Sequence, residues 1–188
     1  DMMSTTRGLF VLVEGGDKCG KTTLVTRIVN TLKANGHDAV QWHFPQRDTA
    51  IGQILHRHLC GESILDPHVS HLLFSANRWE FDARLRQQLT SGTTVVMDRY
   101  ALSGVAYSVG AHGLDVEWCK APDRGLVAPD LTFYLDTPHA AQRGEEIYEH
   151  NDIQTRVLNA LDAMRDVWPA SDSANLIVYC RRRRRRRM

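Results

Sequence analysis

The chain has 188 residues, 43% hydrophobic and 24% charged, which suits one compact domain with a full core. Its formal net charge of +1 conceals an acidic body, because seven of the 23 Lys and Arg residues form the run Arg181 to Arg187 and leave 16 basic against 22 acidic residues elsewhere. That balance argues against a duplex-binding surface. The four dispersed cysteines argue against a zinc or disulfide framework and point to a reducing compartment, the cytoplasm or the nucleus. No apolar run reaches the length of a membrane span or forms an amino-terminal signal segment.

Leu9 to Val13 is a continuous apolar run, as in a parallel strand covered on both faces. It leads into Gly15-Gly16-Asp17-Lys18-Cys19-Gly20-Lys21-Thr22, which fits G-x-x-x-x-G-K-[ST] at every fixed position. Gly15 and Gly20 let the backbone turn and approach an anion closely, so that backbone N–H groups and a helix N-terminus point at phosphate oxygens. Lys21 would reach the β and γ phosphates of a nucleotide, and the Thr22 hydroxyl would hold Mg²⁺. Leu24, Ile28 and Leu32 then recur at helical spacing until Asn35-Gly36. Ala39 to Phe44 reads as a second strand ended by Pro45, Ile51 to Leu59 as a short amphipathic helix, and Val69 to Leu89 as a long one stopped by Ser91-Gly92. Thr93 to Met97 is a β-branched strand that ends at Asp98, and Leu131 to Leu135 is another, with a helix entry at Asp136-Thr137-Pro138. A helix from Ile153 to Trp168 and a last strand from Asn175 to Cys180 complete an alternating pattern. It predicts a doubly wound α/β fold, a five-stranded parallel sheet flanked by helices, with ligands at the carboxyl ends of the strands. Residues 7–180 form a single domain in this reading, and 181–188 form an Arg-rich tail that repels itself.

Asp98-Arg99-Tyr100 falls on the same sheet edge as the glycine loop, where Asp98 can hold Mg²⁺ and Arg99 can meet a phosphate; a turn with an ion pair fits the same three residues. Phe44-Pro45-Gln46-Arg47 places Arg47 there too, as a surface arginine or as one of the fixed cations that offset the repulsion between two phosphates. Phe74 and Arg78 lie four apart on one helical face. There they could stack on and hydrogen-bond a flat base, or be a core ring beside a snorkelling guanidinium. The nine histidines read as solvated surface groups.

Taken in order, these stretches form a set. They are the loop with Asp-Lys at its centre, Phe-Pro-x-Arg at 44–47, Leu-Phe-x-Ala-Asn-Arg-Trp-Glu at 73–80, Asp-Arg-Tyr-x-x-Ser-Gly-Val-Ala-Tyr at 98–107, Trp118-Cys119-Lys120-x-Pro122-Asp123, Pro129-Asp130-Leu131 and Gly144-Glu145-Glu146-Ile147-Tyr148-Glu149. The set resembles thymidylate kinases of the eukaryotic and poxvirus type, P-loop nucleoside monophosphate kinases, over nearly everything from Leu9 to Leu161. The resemblance implies transfer of a phosphoryl group from MgATP to dTMP, giving ADP and dTDP, and commonly a homodimer. It implies that Gly15, Gly16, Asp17, Lys18, Cys19, Gly20, Lys21, Thr22, Thr23 and Arg143 contact ATP, with Thr22 and Asp98 at the metal. Phe74 would stack on thymine and Arg78 bond its O4, beside Phe44, Ser103 and Gly104. Arg47 and Arg99 would clamp the monophosphate, Asp17 would accept the sugar 3′-hydroxyl, and Tyr107 would lie beneath the ribose. A lid at about 143–150 would close over ATP with Glu149 near the substrate. That lid is shorter than in many cellular relatives and carries Ile147 where others have arginine. This throws more catalytic weight onto Lys18, with Lys21 and Arg99 as the other catalytic residues that the resemblance implies. A deoxynucleoside kinase or a broader monophosphate kinase is the alternative; the former would need a carboxylate base for a neutral hydroxyl and an arginine-rich lid. A nucleic-acid module acting through the arginine run is a third reading.

Overall fold

A computed structural model describes residues 7–136, 146–164 and 176–181. Its centre is strand β1 (Phe10–Gly15), all six residues of which are buried. Phe10 and Leu12 pack on one side with Trp42, Leu85, Leu89 and Met97, while Val11 and Val13 pack on the other with Val25, Val29 and Val96. A strand covered on both faces has no polar side, which is why the run lacks alternation. Truncating a fully buried side chain such as Leu85 to Ala would cost roughly 2–5 kcal/mol.

Five parallel strands form one sheet in the order β2-β3-β1-β4-β5, with β2 Ala39–His43, β3 Thr94–Asp98, β4 Leu131–Asp136 and β5 Leu176–Arg181. Register aligns Val13 with Asp98 and His43 with the same Asp98, so the loops after β1, β2 and β3 leave the sheet at one edge. β1 runs past its expected end to Gly15, β3 ends at Asp98 as expected, and β5 includes Arg181, paired with Asp136. Arg181, expected in the tail, thus belongs to β5, and residues 182–188 and the helix entry beyond Asp136 lie outside the described residues.

Helix α1 (Lys21–Ala34) follows the glycine loop. α2 (Ala50–Leu59) is capped by Thr49, which accepts from the Gly52 N–H at 3.0 Å. α3 (Pro67–Thr90) starts at an Asp66 cap with proline in its first turn, and its 24 residues span about 36 Å. The stretch from 99 to 130, left without an element by the sequence pattern, holds α4 (Ala101–His112), α5 (Val116–Lys120) and a 3-10 turn at Ala121–Asp123. α6 (Asn151–Met164) packs against α4 through Val157 and Leu161. The expected extension of α6 to Trp168 lies outside the described residues. No helix among those described is long and apolar enough to cross a membrane.

The inner face of α3 is unusual for a core helix, because its buried residues include Ser70, His71, Ser75, Asn77, Arg78 and Asp82. Burial of polar groups is tolerated where each is hydrogen-bonded. His71 meets Ser108 Oγ at 2.7 Å and the Cys119 carbonyl at 2.8 Å, and Asn77 accepts from the Gln46 N–H at 2.8 Å. His58 and His71 are thus core groups, 2% and 0% exposed, and correct the expectation of surface histidines. Burial lowers the pKa of both.

Candidate active site

At the carboxyl edge of the sheet, the loop after β1 closes over α1 with Gly15 at φ 139° and Gly20 at φ 100°. A Cβ on Gly15 would sit 2.8 Å from the Leu135 carbonyl oxygen, so both backbone conformation and space demand glycine there. Lys18 is held in the left-handed region at φ 58° without that freedom, and Arg99 at φ 67°. Such conformations cost of order 1–3 kcal/mol and persist where surrounding structure enforces them. No side chain caps α1, so its first N–H groups face the loop, as an anion site requires. Gly16 is buried, and a Cβ there would lie 2.7 Å from Leu158 Cδ2 of α6, while Thr23 is exposed in the first turn of α1.

Lys21 is buried and donates from Nζ to the Gly16 carbonyl, with Cys19 Sγ 3.8 Å away. Burial lowers its pKa, and the charge of Arg99 adds to the effect against Cys19, Asp98 and Asp17. Thr22 Oγ1 donates to Asp98 Oδ2 at 2.6 Å, which joins the two expected metal residues across the loop and β3. A hydroxyl and a carboxylate offer hard oxygen donors, few in number, which suits an ion that keeps most of its waters, as Mg²⁺ does.

A cavity of about 310 Å³ opens beside the loop, within the range of small-molecule sites. It gathers Asp17, Phe44, Arg47, Phe74, Arg78, Arg99, Ser103, Gly104, Tyr107 and Glu149, every residue assigned to the acceptor nucleotide in the sequence analysis. Arg99 Cζ lies 5.3 Å from the Tyr107 ring centroid, and the guanidinium bonds Asp17 and, at 3.1 Å, Ser103 Oγ. Burial works against its charge, but Tyr107, Asp17, Glu14 and Asp98 outweigh that and raise its pKa. Asp17 also accepts from Tyr107 OH at 2.6 Å. Burial opposes its ionisation, yet Arg99, Tyr107, Lys21 and Gln154 together hold its pKa below the ordinary value. Arg47 donates to Glu146 Oε1 at 2.6 Å and meets His56 Nδ1 at 2.7 Å. Lys18 lies 3.5 Å from Glu149 Oε2. Arg143 lies outside the described residues.

Three residues that sequence reasoning left without a role organise the cavity. Asp123 holds Arg78 by Nε–Oδ1 at 3.1 Å and Nη2–Oδ2 at 2.7 Å, in a pair whose side chains are 3% and 2% exposed. Nη1 makes no hydrogen bond among the described residues, and a Cβ on Gly104 would lie 2.7 Å from it. Gln154 donates to Asp17 Oδ2 at 2.5 Å and to the Tyr148 carbonyl at 2.7 Å. Glu14 is wholly buried and accepts from Tyr100 N–H, Ser103 N–H and, at 2.6 Å, Ser103 Oγ. Gln154 had a signal: it is a polar residue on the stripe of Val157 and Leu161. Glu14 had one as well, as a charge ending an apolar strand.

A phosphate-binding loop entering a helix, a Thr–Asp pair beside it and a second pocket lined with guanidinium groups define a P-loop kinase with two nucleotide sites. The family model described as Thymidylate kinase matches residues 13–172. Thymidylate kinase of Arabidopsis thaliana is 43% identical over 180 residues, covering 86% of this chain and 68% of that one. Human thymidylate kinase is 40% identical over 184 residues, covering 93% and 87%. The structure of thymidylate kinase from Candida albicans superposes with a TM-score of 0.80 at 28% identity, covering 93% of this chain and 84% of that one. This chain belongs to the thymidylate kinase family.

Proposed function

We infer that the chain transfers the γ-phosphoryl group of ATP to dTMP, giving ADP and dTDP. The observation that carries this reading is the assembly of Arg47, Arg78, Arg99, Phe74 and Tyr107 around one cavity next to the Gly15–Thr22 loop. Two polyanions must meet end to end, and fixed cations at their junction offset the repulsion. Arg99, charged at all working pH and locked by Asp17 and Ser103, would take the acceptor phosphate together with Arg47. Phe74 and Phe44 would flank the base, and Arg78 Nη1 would meet its carbonyl edge. Asp17, held ionised, would accept a sugar hydroxyl above the Tyr107 ring.

Lys21 and the loop N–H groups would hold the donor phosphates, and Lys18 would lie between donor and acceptor. Mg²⁺ held by Thr22 and Asp98 would supply charge neutralisation on those phosphates. A phosphate monoester is already an anionic nucleophile, so no general base is required. The cavity agrees: Asp17 is a weakened base, and Glu14 has its oxygens engaged by Tyr100 and Ser103. A neutral 5′-hydroxyl acceptor would need a carboxylate free to take its proton, whereas Asp17, Glu146 and Glu149 in the cavity are each paired with a cation, which disfavours a deoxynucleoside kinase.

Exposed Val69, Leu72 and Trp79 along α3, at 47%, 46% and 41%, support a homodimer in which this helix meets its counterpart. A coupled ADP-release assay with dTMP, dUMP, dGMP, dCMP and thymidine tests the reaction. Magnesium-dependent ADP release with dTMP is the expected result, and turnover of thymidine at or above that of dTMP would overturn it.

A further inference from the structure

The cations facing the cavity are each paired with a protein carboxylate, but the pairs differ in kind. Asp123 is sealed in the core with Arg78, and Asp17 is fixed by Tyr107 and Gln154 as well as by Arg99. Glu146 has no such support. It reaches Arg47 from the segment that precedes α6, whose backbone is anchored by the Ile147 N–H to the Leu59 carbonyl at 2.9 Å. Its carboxylate is about one-third exposed, and its 2.6 Å bond to Arg47 Nη2 is its one side-chain hydrogen bond among the described residues. On the far side, His56 Nδ1 occupies Nη1 of the same guanidinium at 2.7 Å.

We propose that Glu146 sets acceptor affinity by standing in for the substrate phosphate: its carboxylate holds the face of Arg47 that the monophosphate of dTMP takes, and binding displaces it. The proposal rests on Arg47 being a phosphate ligand. With His56 on one nitrogen, a dianionic phosphate needs the remaining donors at the Glu146 end, and a carboxylate left there would repel it. An oxygen anion on a guanidinium is the same contact whether it comes from a side chain or a phosphate. Glu146 therefore keeps Arg47 oriented when the site is empty and lowers the affinity for phosphorylated acceptors, with no effect on thymidine.

The test is equilibrium binding of dTMP and thymidine to the parent chain, Glu146→Gln, Arg47→Ala and the double variant, with melting temperature as a check on folding. The proposal expects Glu146→Gln to bind dTMP about fivefold more tightly, the size of a partly exposed ion pair. Thymidine affinity should be unchanged, and the gain should vanish when Arg47 is already Ala. Weaker or unchanged dTMP binding by Glu146→Gln would overturn it, since Glu146 would then orient Arg47 in the complex or do nothing. Unchanged dTMP affinity in Arg47→Ala would overturn the phosphate role of Arg47 itself, a separate failure visible in a separate variant.

Discussion

Replacing Asp123 by Ala separates what the Arg78 pair does for stability from what it does for recognition. The change leaves a guanidinium buried at 3% exposure without the carboxylate that now meets two of its nitrogens at 2.7 and 3.1 Å. It also removes the acceptor of Ser75 Oγ. Breaking one side of a buried pair costs about 3–5 kcal/mol, mainly because the other charge is stranded. In a chain of this size each kcal/mol moves the melting temperature by about 2–4 °C, so Asp123→Ala should melt about 10 °C lower. Adding Arg78→Met removes the stranded charge, and the double variant should recover most of that loss. Binding should behave differently: both variants lose the oriented Nη1 and should show a raised dTMP KM. Calorimetric melting and steady-state kinetics on the four chains of the cycle read both quantities. Melting of Asp123→Ala within about 2 °C of the parent, or no recovery in the double variant, would refute the account.

Three further outcomes follow from the same geometry. Gly104→Ala should raise the dTMP KM about tenfold and cost about 1–3 kcal/mol of stability, less what alanine adds to the helix. The new Cβ would lie 2.7–3.0 Å from a guanidinium that Asp123 prevents from moving, whereas alanine favours the helix; an unchanged KM excludes that contact. Lys18→Ala should lower kcat by about 10²–10³ with a smaller change in dTMP KM, as expected for a cation acting on transferred charge, and an unaltered kcat removes Lys18 from the step. His58 and His71 have folded pKa values below the ordinary 6.5, because burial disfavours their charged forms. Below pH 6.5 the unfolded chain therefore takes up protons that the folded chain refuses. Stability is full above that pH and falls as pH drops below it. Melting profiles between pH 7.5 and 5 should show this decline, and His71→Gln should flatten it relative to the parent.

The phosphate loop was legible because everything it needs is local: the glycines, the lysine and the threonine are contiguous, and the strand and helix around them carry their own periods. Phe74 and Arg78 were legible as a face, since four-residue spacing on a helix fixes neighbours. What the spacing could not show is that Arg78 is locked by a residue 45 positions later. Nor could it show that Asp17 is steadied by one 137 positions later. α4 escaped notice because Ser103, Gly104, Ser108 and Gly110 interrupt its apolar pattern, although Gly104 and Gly110 are what allow the close approach of Arg78 and α6. Asn77, beside that face in sequence, fastens the backbone at Gln46 and so steadies the loop that carries Arg47, a contact that spacing alone cannot show. The histidines misled for a related reason, as burial of a polar ring depends on partners such as Ser108 and the Cys119 carbonyl that only the tertiary fold supplies.

Glu14 ties the start of α4 to the central strand. α4 has no cap of its own at Tyr100, and its opening turn is closed by a carboxylate that lies 86 residues earlier in the chain. A fragment lacking β1 would carry the helix but not the group that finishes it, so its amides at Tyr100 and Ser103 would exchange freely with solvent. During refolding the wall formed by Ser103, Gly104 and Tyr107 is expected to mature after the central strand has docked, which pulse-labelled hydrogen exchange at Tyr100 and Ser103 would check. Nucleotide grip at the first loop should consequently return before discrimination among acceptors does.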